Sequence, residues 1–242
     1  MSAEFFDLQS VSMQGLEFSY EPNSSLNSLL HQVTCELPIR QVVRLQGQAG
    51  AGKSAVLKLM AGLLSPQMGS IYLNGQAIEQ MSFEEFLPYR LRIGYSFDLG
   101  GLLNNRTLRE NLALPMQYHK RFDNQEIDRR VEEMLGMFQL QSQADKRPSN
   151  VAGSQRKATC VARALIMSPQ FLILDDPTTG LSATSKIVLS DWIQAKLKSG
   201  ELRFVLLSSE EPDWLSKADC IDLEVADRKL TWTEFNEKAK AV

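Results

Sequence analysis

Short, uninterrupted apolar runs alternate with helix-like stretches along most of the chain. Val42-Val43-Arg44-Leu45, Phe171-Leu172-Ile173-Leu174 and Phe204-Val205-Leu206-Leu207 read as strands buried on both faces. Helices are expected over residues 55–63, 156–167 and about 183–197, the last stopped by Gly200. Such a rhythm predicts an α/β fold with a parallel sheet covered on both faces. Ahead of it, residues 10–20 and 29–37 hold extended stretches separated by the turn-rich Glu21-Pro22-Asn23-Ser24-Ser25, which suggests a small antiparallel sheet. Pro66-Gln67-Met68-Gly69-Ser70-Ile71-Tyr72-Leu73-Asn74-Gly75 reads as a strand bounded by turn residues, and Ser82-Phe83-Glu84-Glu85 has the capping-box pattern of a short helix. From about residue 93 to 155 the pattern changes to a largely helical insertion. Thr107-Leu108-Arg109-Glu110 and Asp123-Asn124-Gln125-Glu126 read as helix starts there, and Val131, Met134, Leu135 and Phe138 recur at helical spacing. The pair Ile221-Asp222-Leu223-Glu224-Val225 and Leu230-Thr231-Trp232 reads as a hairpin, with Arg228 and Lys229 in its turn.

At 242 residues the chain has room for one large or two small domains with a well-buried core, and 43% hydrophobic with 23% charged residues is ordinary globular usage. A net charge of −3 gives no nucleic-acid footprint. The N-terminus lacks a basic region followed by an apolar core, and no apolar run reaches membrane-spanning length, so a cytosolic location is expected. Cys35, Cys160 and Cys220 are scattered and odd in number, which points away from a disulfide framework or a zinc site and toward three small buried apolar residues. His31 and His119 stand apart from any cysteine or carboxylate cluster and read as surface or packing residues.

One stretch carries chemistry outright. Gly47-Gln48-Ala49-Gly50-Ala51-Gly52-Lys53-Ser54 fits G-x-x-x-x-G-K-[ST] between a strand and a helix. Glycines let such a backbone wrap closely and aim N–H groups at phosphate oxygens, while Lys53 reaches the β/γ-phosphates and Ser54 offers a hydroxyl to Mg²⁺. The competing reading is a glycine-rich turn that meets the pattern by chance. Asp175 and Asp176 end a buried strand, where a parallel sheet presents its ligand-binding edge. There one carboxylate can hold Mg²⁺ and its neighbour can orient an attacking water, although an Asp-Asp-Pro can also serve as a turn and helix cap. Tyr20, at the end of the first extended stretch, is either a platform for an adenine or a half-buried strand tyrosine. Ser208-Ser209-Glu210-Glu211 offers a nucleophile or carboxylate pair, but no histidine stands near, and helix capping before Pro212 accounts for it.

Taken together these segments resemble the nucleotide-binding subunits of ATP-binding-cassette (ABC) transporters, over about residues 11–225. Ala61-Gly62-Leu63-Leu64-Ser65-Pro66 with Gly69-Ser70-Ile71 is similar to the family's segment after the phosphate loop. Val151-Ala152-Gly153-Ser154-Gln155, followed by Ala162-Arg163-Ala164-Leu165, stands where the family has its L-S-G-G-Q signature. Leu174-Asp175-Asp176-Pro177-Thr178-Thr179-Gly180-Leu181 matches the segment around the catalytic strand. A narrower resemblance, through Gly100-Gly101-Leu102-Leu103-Asn104-Asn105-Arg106-Thr107 and Glu110-Asn111-Leu112-Ala113-Leu114-Pro115, is to the ATPases of Mla/Mce-type lipid transporters, with the lipoprotein-release ATPases next.

The resemblance implies a P-loop NTPase fold: a RecA-like parallel-sheet core, an N-terminal antiparallel β subdomain and an inserted α-helical subdomain. The expected layout is one nucleotide-binding domain over 10–232, with the core and β subdomain in about 10–93 and 156–232, the helical subdomain in about 94–155, and a short tail at 233–242. It implies ATP and Mg²⁺ as ligands, with residues 47–54 (Gly47, Gln48, Ala49, Gly50, Ala51, Gly52, Lys53 and Ser54) on the phosphates, Asp175 supporting the metal and Tyr20 on the base. Gly153, Ser154 and Gln155 would reach the nucleotide of a second subunit, so that ATP binding closes a dimer and hydrolysis reopens it. Partners would be integral membrane permease subunits and a second ATPase copy, identical or paralogous, at the inner face of the cell membrane.

Departures from the family pattern concentrate on hydrolysis. The Q-loop glutamine appears as Asp98, the signature serine as Ala152, the catalytic glutamate as Asp176, the D-loop aspartate as Ser182 and the switch histidine as Ser209. An aspartate carboxylate sits roughly 1.5 Å short of a glutamate's, and misplacement near 1 Å costs about 10²-fold in rate. Losing a preorganised donor at position 209 costs about 10²–10³. Asp98 brings charge near the metal and phosphates, where it can bind metal but cannot donate as an amide does. These changes imply an ATP-binding transport subunit that hydrolyses slowly, with Glu210 or Asp98 in compensation. The alternatives are a binding-only subunit whose dimerisation is regulatory or structural, and a soluble ABC protein outside transport.

Overall fold

The computed structural model describes residues 7–21, 28–98, 101–120, 122–209, 211–215 and 220–233. Gly100, Glu210, the turn at 22–25 and the tail from 234 onward lie outside the described residues.

In chain order the elements are β1 (Val11–Phe18), β2 (Leu30–Glu36), β3 (Val42–Gln46), α1 (Lys53–Met60), β4 (Met68–Leu73), β5 (Gln76–Ala77), α2 (Phe83–Arg90) and β6 (Ile93–Ser96). Then follow α3 (Leu108–His119), α4 (Asn124–Met137), α5 (Gly153–Leu165), β7 (Phe171–Asp175), α6 (Ala183–Ser199), β8 (Phe204–Ser208), β9 (Cys220–Ala226) and β10 (Lys229–Trp232). They build two sheets. The first is antiparallel, in the order β2-β1-β4-β5, as the alternating N-terminal stretches predict. The second runs β10-β9-β3-β8-β7-β6, with β9, β3, β8, β7 and β6 mutually parallel and β10 antiparallel at its edge.

Strand pleating sorts the apolar residues onto two faces. Leu172, Leu174, Val205 and Leu207 join the core formed with α3, α4, α5 and α6. Phe171, Ile173, Phe204 and Leu206 point the other way, into a core shared with α1 and the antiparallel sheet. A strand buried on both sides has no polar positions to alternate, which is why these runs are continuously apolar. The helix that follows the phosphate-loop sequence thus lies between the two sheets.

Capping chemistry fixes the helix starts. Ser82 and Thr107 each accept from the N3 backbone while Glu85 and Glu110 reach back, and the Asp123 side chain accepts from the Glu126 N–H. Gly200 closes α6 in a left-handed conformation, and Val131, Met134, Leu135 and Phe138 are buried together in the helical layer.

Some expected boundaries move. The first helix ends at Met60 because the Leu63 N–H returns to the Lys58 carbonyl, so residues 61–63 form its closing turn. Residues 94–96, placed by their sequence in the insertion, pair as β6 with β7, and the change to helices comes after Ser96. Gly94 permits this: a Cβ there would stand 2.2 Å from the Ala164 carbonyl of α5, so only glycine lets helix and strand approach so closely. The helix expected from residue 156 begins at Gly153, which places the signature segment in its first turn. The hairpin turn is Asp227-Arg228, both at positive φ, while Lys229 already opens β10. Cys35 and Cys160 are buried, but Cys220 is partly exposed, being the first residue of its strand. His31 faces Glu17 at the surface, its Nδ1 3.1 Å from the carboxylate.

Candidate functional site

The chain leaves β3 into the glycine-rich loop at a point where only glycine fits. Gly47 has φ +143°, and a Cβ there would lie 2.4 Å from the Val225 carbonyl. At the far end of the loop Gly52 is the left-handed N-cap of α1, and no side chain caps the helix. Among the described residues its first-turn N–H groups have no side-chain acceptor, the arrangement that receives an anion at a helix N-terminus. Lys53 folds back over this loop, its Nζ donating to the carbonyls of Gly47 (2.5 Å) and Gln48 (3.1 Å). The ammonium is held within the ring of backbone that a phosphate would occupy.

The carboxylates arrive from the neighbouring strand ends. Asp175 is only 5% exposed, and its Oδ1 accepts from the Ser54 hydroxyl at 2.9 Å and from the Ser208 hydroxyl at 3.0 Å. Register explains the second bond, since Asp175 of β7 lies opposite Ser208 of β8. Asp176 sits at φ +39°, and its N–H donates to Ser208 Oγ at 2.9 Å. Its carboxylate accepts from Thr178 Oγ1 at 3.4 Å, and Thr178 in turn shares a hydrogen bond with Ser209 Oγ at 3.1 Å. Ser54, Asp175, Asp176, Thr178, Ser208 and Ser209 therefore form one connected network beside the loop.

Asp98, just beyond β6, belongs to the same electrostatic neighbourhood. Burial raises its carboxyl above the usual range; Lys157 opposes that shift, while the charges of Asp176 and Asp175 add to it. Lys157 of α5 donates to the Asp98 carbonyl at 2.7 Å and stands 3.7 Å from its carboxylate. Among the described residues no three histidine, cysteine or acidic side chains gather where they could hold a metal ion. The donor set that fits Mg²⁺ is the hard oxygen pair of Ser54 and Asp175, which leaves the remaining positions to phosphate and water.

Tyr20 is 59% exposed and stacks edge-on against Phe18, with ring centroids 5.1 Å apart. Its ring is therefore open to solvent rather than half-buried. Tyr95 lies nearby: burial foremost, then Asp175 and Tyr20, push its phenol well above the ordinary range, and among the described residues its hydroxyl has no hydrogen-bond partner.

Gly153, Ser154 and Gln155 form the first turn of α5. Ala152 at the N-cap has no side-chain acceptor, so only half a capping box remains: Gln155 Oε1 accepts from the Ala152 N–H at 3.0 Å. Among the described residues these three make no hydrogen bond to residues 47–54 or to Asp175 and Asp176 of the same chain. Ser182 caps α6, its hydroxyl accepting from the Ser185 N–H at 3.2 Å. Ser209 closes a local turn ahead of the short helix at residues 212–215 by accepting from the Glu211 N–H at 3.2 Å, a bond to the segment before that helix rather than to its first turn.

Sequence reasoning met Ser208 and Thr178 only as members of longer segments, without their bonds to Asp175 and Asp176, and missed Lys157. Ser208 was signalled by its place at the end of a buried strand beside the Asp175 strand. Lys157 carried no local signal, because its partner is 59 residues away. A cleft of about 250 Å³ opens at the ends of α1, α2, α3 and α5, where Leu63, Arg90, Phe97, Pro115, His119 and Arg163 face it. Among the described residues no helix is long and apolar enough to cross a membrane.

Comparison with known proteins gives one consistent outcome. The family model described as "ABC transporter" matches residues 30–179. The chain is 33% identical over 184 residues to the probable ribonucleotide transport ATP-binding protein mkl of Mycobacterium bovis, covering 76% of this chain and 50% of that protein. It is 31% identical over 190 residues to the sulfate/thiosulfate import ATP-binding protein CysA of Synechocystis, covering 78% of this chain and 52% of that one. The chain spans about half the length of the curated relatives it matches. Among solved structures, the post-hydrolysis dimer of the ATP-binding cassette MJ0796 bound to ADP and Pi superposes with a TM-score of 0.83 at 22% identity, over 93% of this chain and 99% of that one. The fold is thus that of an ABC ATPase cassette.

Proposed function

The chain belongs to the ABC transporter family, and on that premise we propose that it is the ATP-binding subunit of a transporter, using MgATP binding and slow hydrolysis to drive a membrane permease. The observation that carries this reading is the 2.9 Å bond from Ser54 at the head of α1 to buried Asp175 at the end of β7. It joins the phosphate loop to the strand-end carboxylate, the two parts a bound MgATP needs side by side.

In this reading Lys53 turns from the Gly47 and Gln48 carbonyls to the β/γ-phosphates, and the N–H groups at the start of α1 receive phosphate oxygens. Ser54 and Asp175 hold magnesium, which when bound neutralises charge on the phosphates. Exposed Tyr20 stacks on the base. Gly153, Ser154 and Gln155 serve the nucleotide of a second ATPase copy, identical or paralogous, which accords with their lack of hydrogen bonds to their own phosphate loop. The cleft beside Phe97 and Pro115 receives a permease segment, and the resemblance of residues 100–115 to Mla/Mce-type ATPases favours lipid as cargo. The protein would then work at the inner face of the membrane.

Hydrolysis is the weak part of this site. Asp176 is short, its carboxylate accepts from Thr178, and Ser209 brings a hydroxyl where the family has an imidazole. Those observations favour a second reading, a binding-only subunit whose ATP-driven dimerisation is regulatory or structural. Steady-state phosphate release with MgATP, measured beside Lys53→Ala, separates the two. Turnover above the Lys53→Ala background identifies a working ATPase. Saturable ATP binding with phosphate release no faster than that background leaves only the binding role.

A further inference from the structure

Lysine is among the side chains least often fully buried, and it becomes so chiefly when paired. Lys157 is 8% exposed on the second turn of α5, and its ammonium lies against one residue, Asp98, through both the backbone carbonyl at 2.7 Å and the carboxylate at 3.7 Å. Asp98 follows β6, which pairs with β7 and so with the strand ending in Asp175. The electrostatic influence of Asp175 and Asp176 reaches the Asp98 carboxyl, and Lys157 is the cation that offsets it. Nearby, Arg163 of the same helix reaches the Gly101 carbonyl and, at 3.5 Å, the side chain of Asn111. Among the described residues the helix that begins with Gly153-Ser154-Gln155 is thus tied to the segment after β6 by Lys157 and by Arg163, and the Lys157 tie holds the residue whose carboxyl responds to Asp175 and Asp176.

We propose that Lys157 and Asp98 act as one positioning unit, in which the lysine supplies the counter-charge that lets a carboxylate stand beside the phosphate site and couples the start of α5 to the end of β6. Its nucleotide part rests on the proposed ATP site; its structural part does not. Removing the ammonium leaves Asp98 uncompensated near Asp175, Asp176 and an incoming polyphosphate, and breaks the clamp on the Asp98 carbonyl. Neutralising Asp98 as well removes the repulsion.

The test is a double-mutant cycle on the full chain with Lys157→Gln, Asp98→Asn and both together, plus Lys157→Arg as the charge-conserving variant. Two quantities are read: the melting temperature without nucleotide, and the dissociation constant for MgATP by calorimetry. Lys157→Gln should weaken MgATP binding about tenfold, a screened repulsion across several ångströms, and lower the melting temperature. Adding Asp98→Asn should return the affinity to within about twofold of the starting protein. It should also recover the part of the melting temperature lost to the uncompensated carboxylate, the bond to the Asp98 carbonyl staying broken, and Lys157→Arg should stay close to the starting protein. Should Lys157→Gln fail to fold, a folded double variant supports the pair and an unfolded one overturns it. Additive losses without rescue, or a Lys157→Gln protein that binds and melts like the unmodified chain, also overturn it. If the unmodified protein binds no MgATP, the ATP reading fails, and the melting cycle alone still decides whether Lys157 and Asp98 act together.

Discussion

Replacing Ser208 by alanine tests the network on which the site depends. One hydroxyl accepts from the Asp176 N–H at 2.9 Å and donates to Asp175 Oδ1 at 3.0 Å, and Ser208 is only 3% exposed. Its removal leaves the Asp176 N–H unpaired in a partly buried setting, at a cost of about 1–3 kcal/mol, and takes from a buried carboxylate one charge-assisted bond of about 1.5–3 kcal/mol. The removed atom is small and Asp175 keeps Ser54, so relaxation recovers part of this, and a net loss of about 2–4 kcal/mol is expected. For a domain of this size that corresponds to a melting temperature lower by roughly 5–15 °C. Asp176, at φ +39°, also loses the bond that pins its backbone, so MgATP affinity and turnover should fall together. Thermal unfolding followed by circular dichroism, with nucleotide titration of the same sample, reads both. Ser208→Ala protein melting within about 1 °C of the unmodified chain and binding MgATP equally well would refute the reasoning.

Two further expectations follow from the same geometry. Asp176→Glu carries the carboxylate forward by roughly 1.5 Å and should raise phosphate release, by up to about 10²-fold if reach limits the step, while leaving ATP affinity within a few-fold; an unchanged rate at full occupancy would place the limit elsewhere, with Ser209 the next residue to change. Burial pushes the Cys35 thiol from its ordinary 9.0 up to about 12. The unfolded chain therefore gives up that proton first as pH rises past 9.0, so the contribution is intact below 9.0 and is lost between 9.0 and about 12, at about 1.4 kcal/mol per pH unit at most. Denaturant unfolding at pH 9.0 and at about 10.5 should show Cys35→Ala losing less stability over that interval than the unmodified protein, and equal losses would contradict the assignment.

Much of the architecture could be read before the structure because local and global signals agree. Continuous apolar runs such as Phe171-Leu172-Ile173-Leu174 admit little besides a doubly covered strand, and the capping boxes at Ser82 and Thr107 fix their helices to the residue. The phosphate loop was equally plain, since its glycines, lysine and serine act over eight adjacent residues. Boundaries failed where tertiary contact decided them. Residues 94–96 are too short a run to announce a strand, and they become one because β7 is beside them and Gly94 admits α5. The start of α5 was missed because Gly153 is a poor helix former and Ala152 a poor cap. In the site, the roles of Ser208 and Lys157 were not legible because each acts on a residue more than thirty positions away, Asp176 or Asp175 for one and Asp98 for the other. Tyr20 stayed ambiguous in sequence because a strand-end tyrosine can either pack or stack, and its 59% exposure is a property of the fold.

The central claim is that residues 47–54 and Asp175 form a working MgATP site. Equilibrium calorimetry of MgATP against the purified chain, with Lys53→Ala as the paired sample, tests it most directly. The account predicts one saturable site per chain in the unmodified protein, and an affinity lower by at least about 10²-fold once the ammonium that bridges the Gly47 and Gln48 carbonyls is gone. Equal binding by both proteins, or no saturable binding by either, would contradict it.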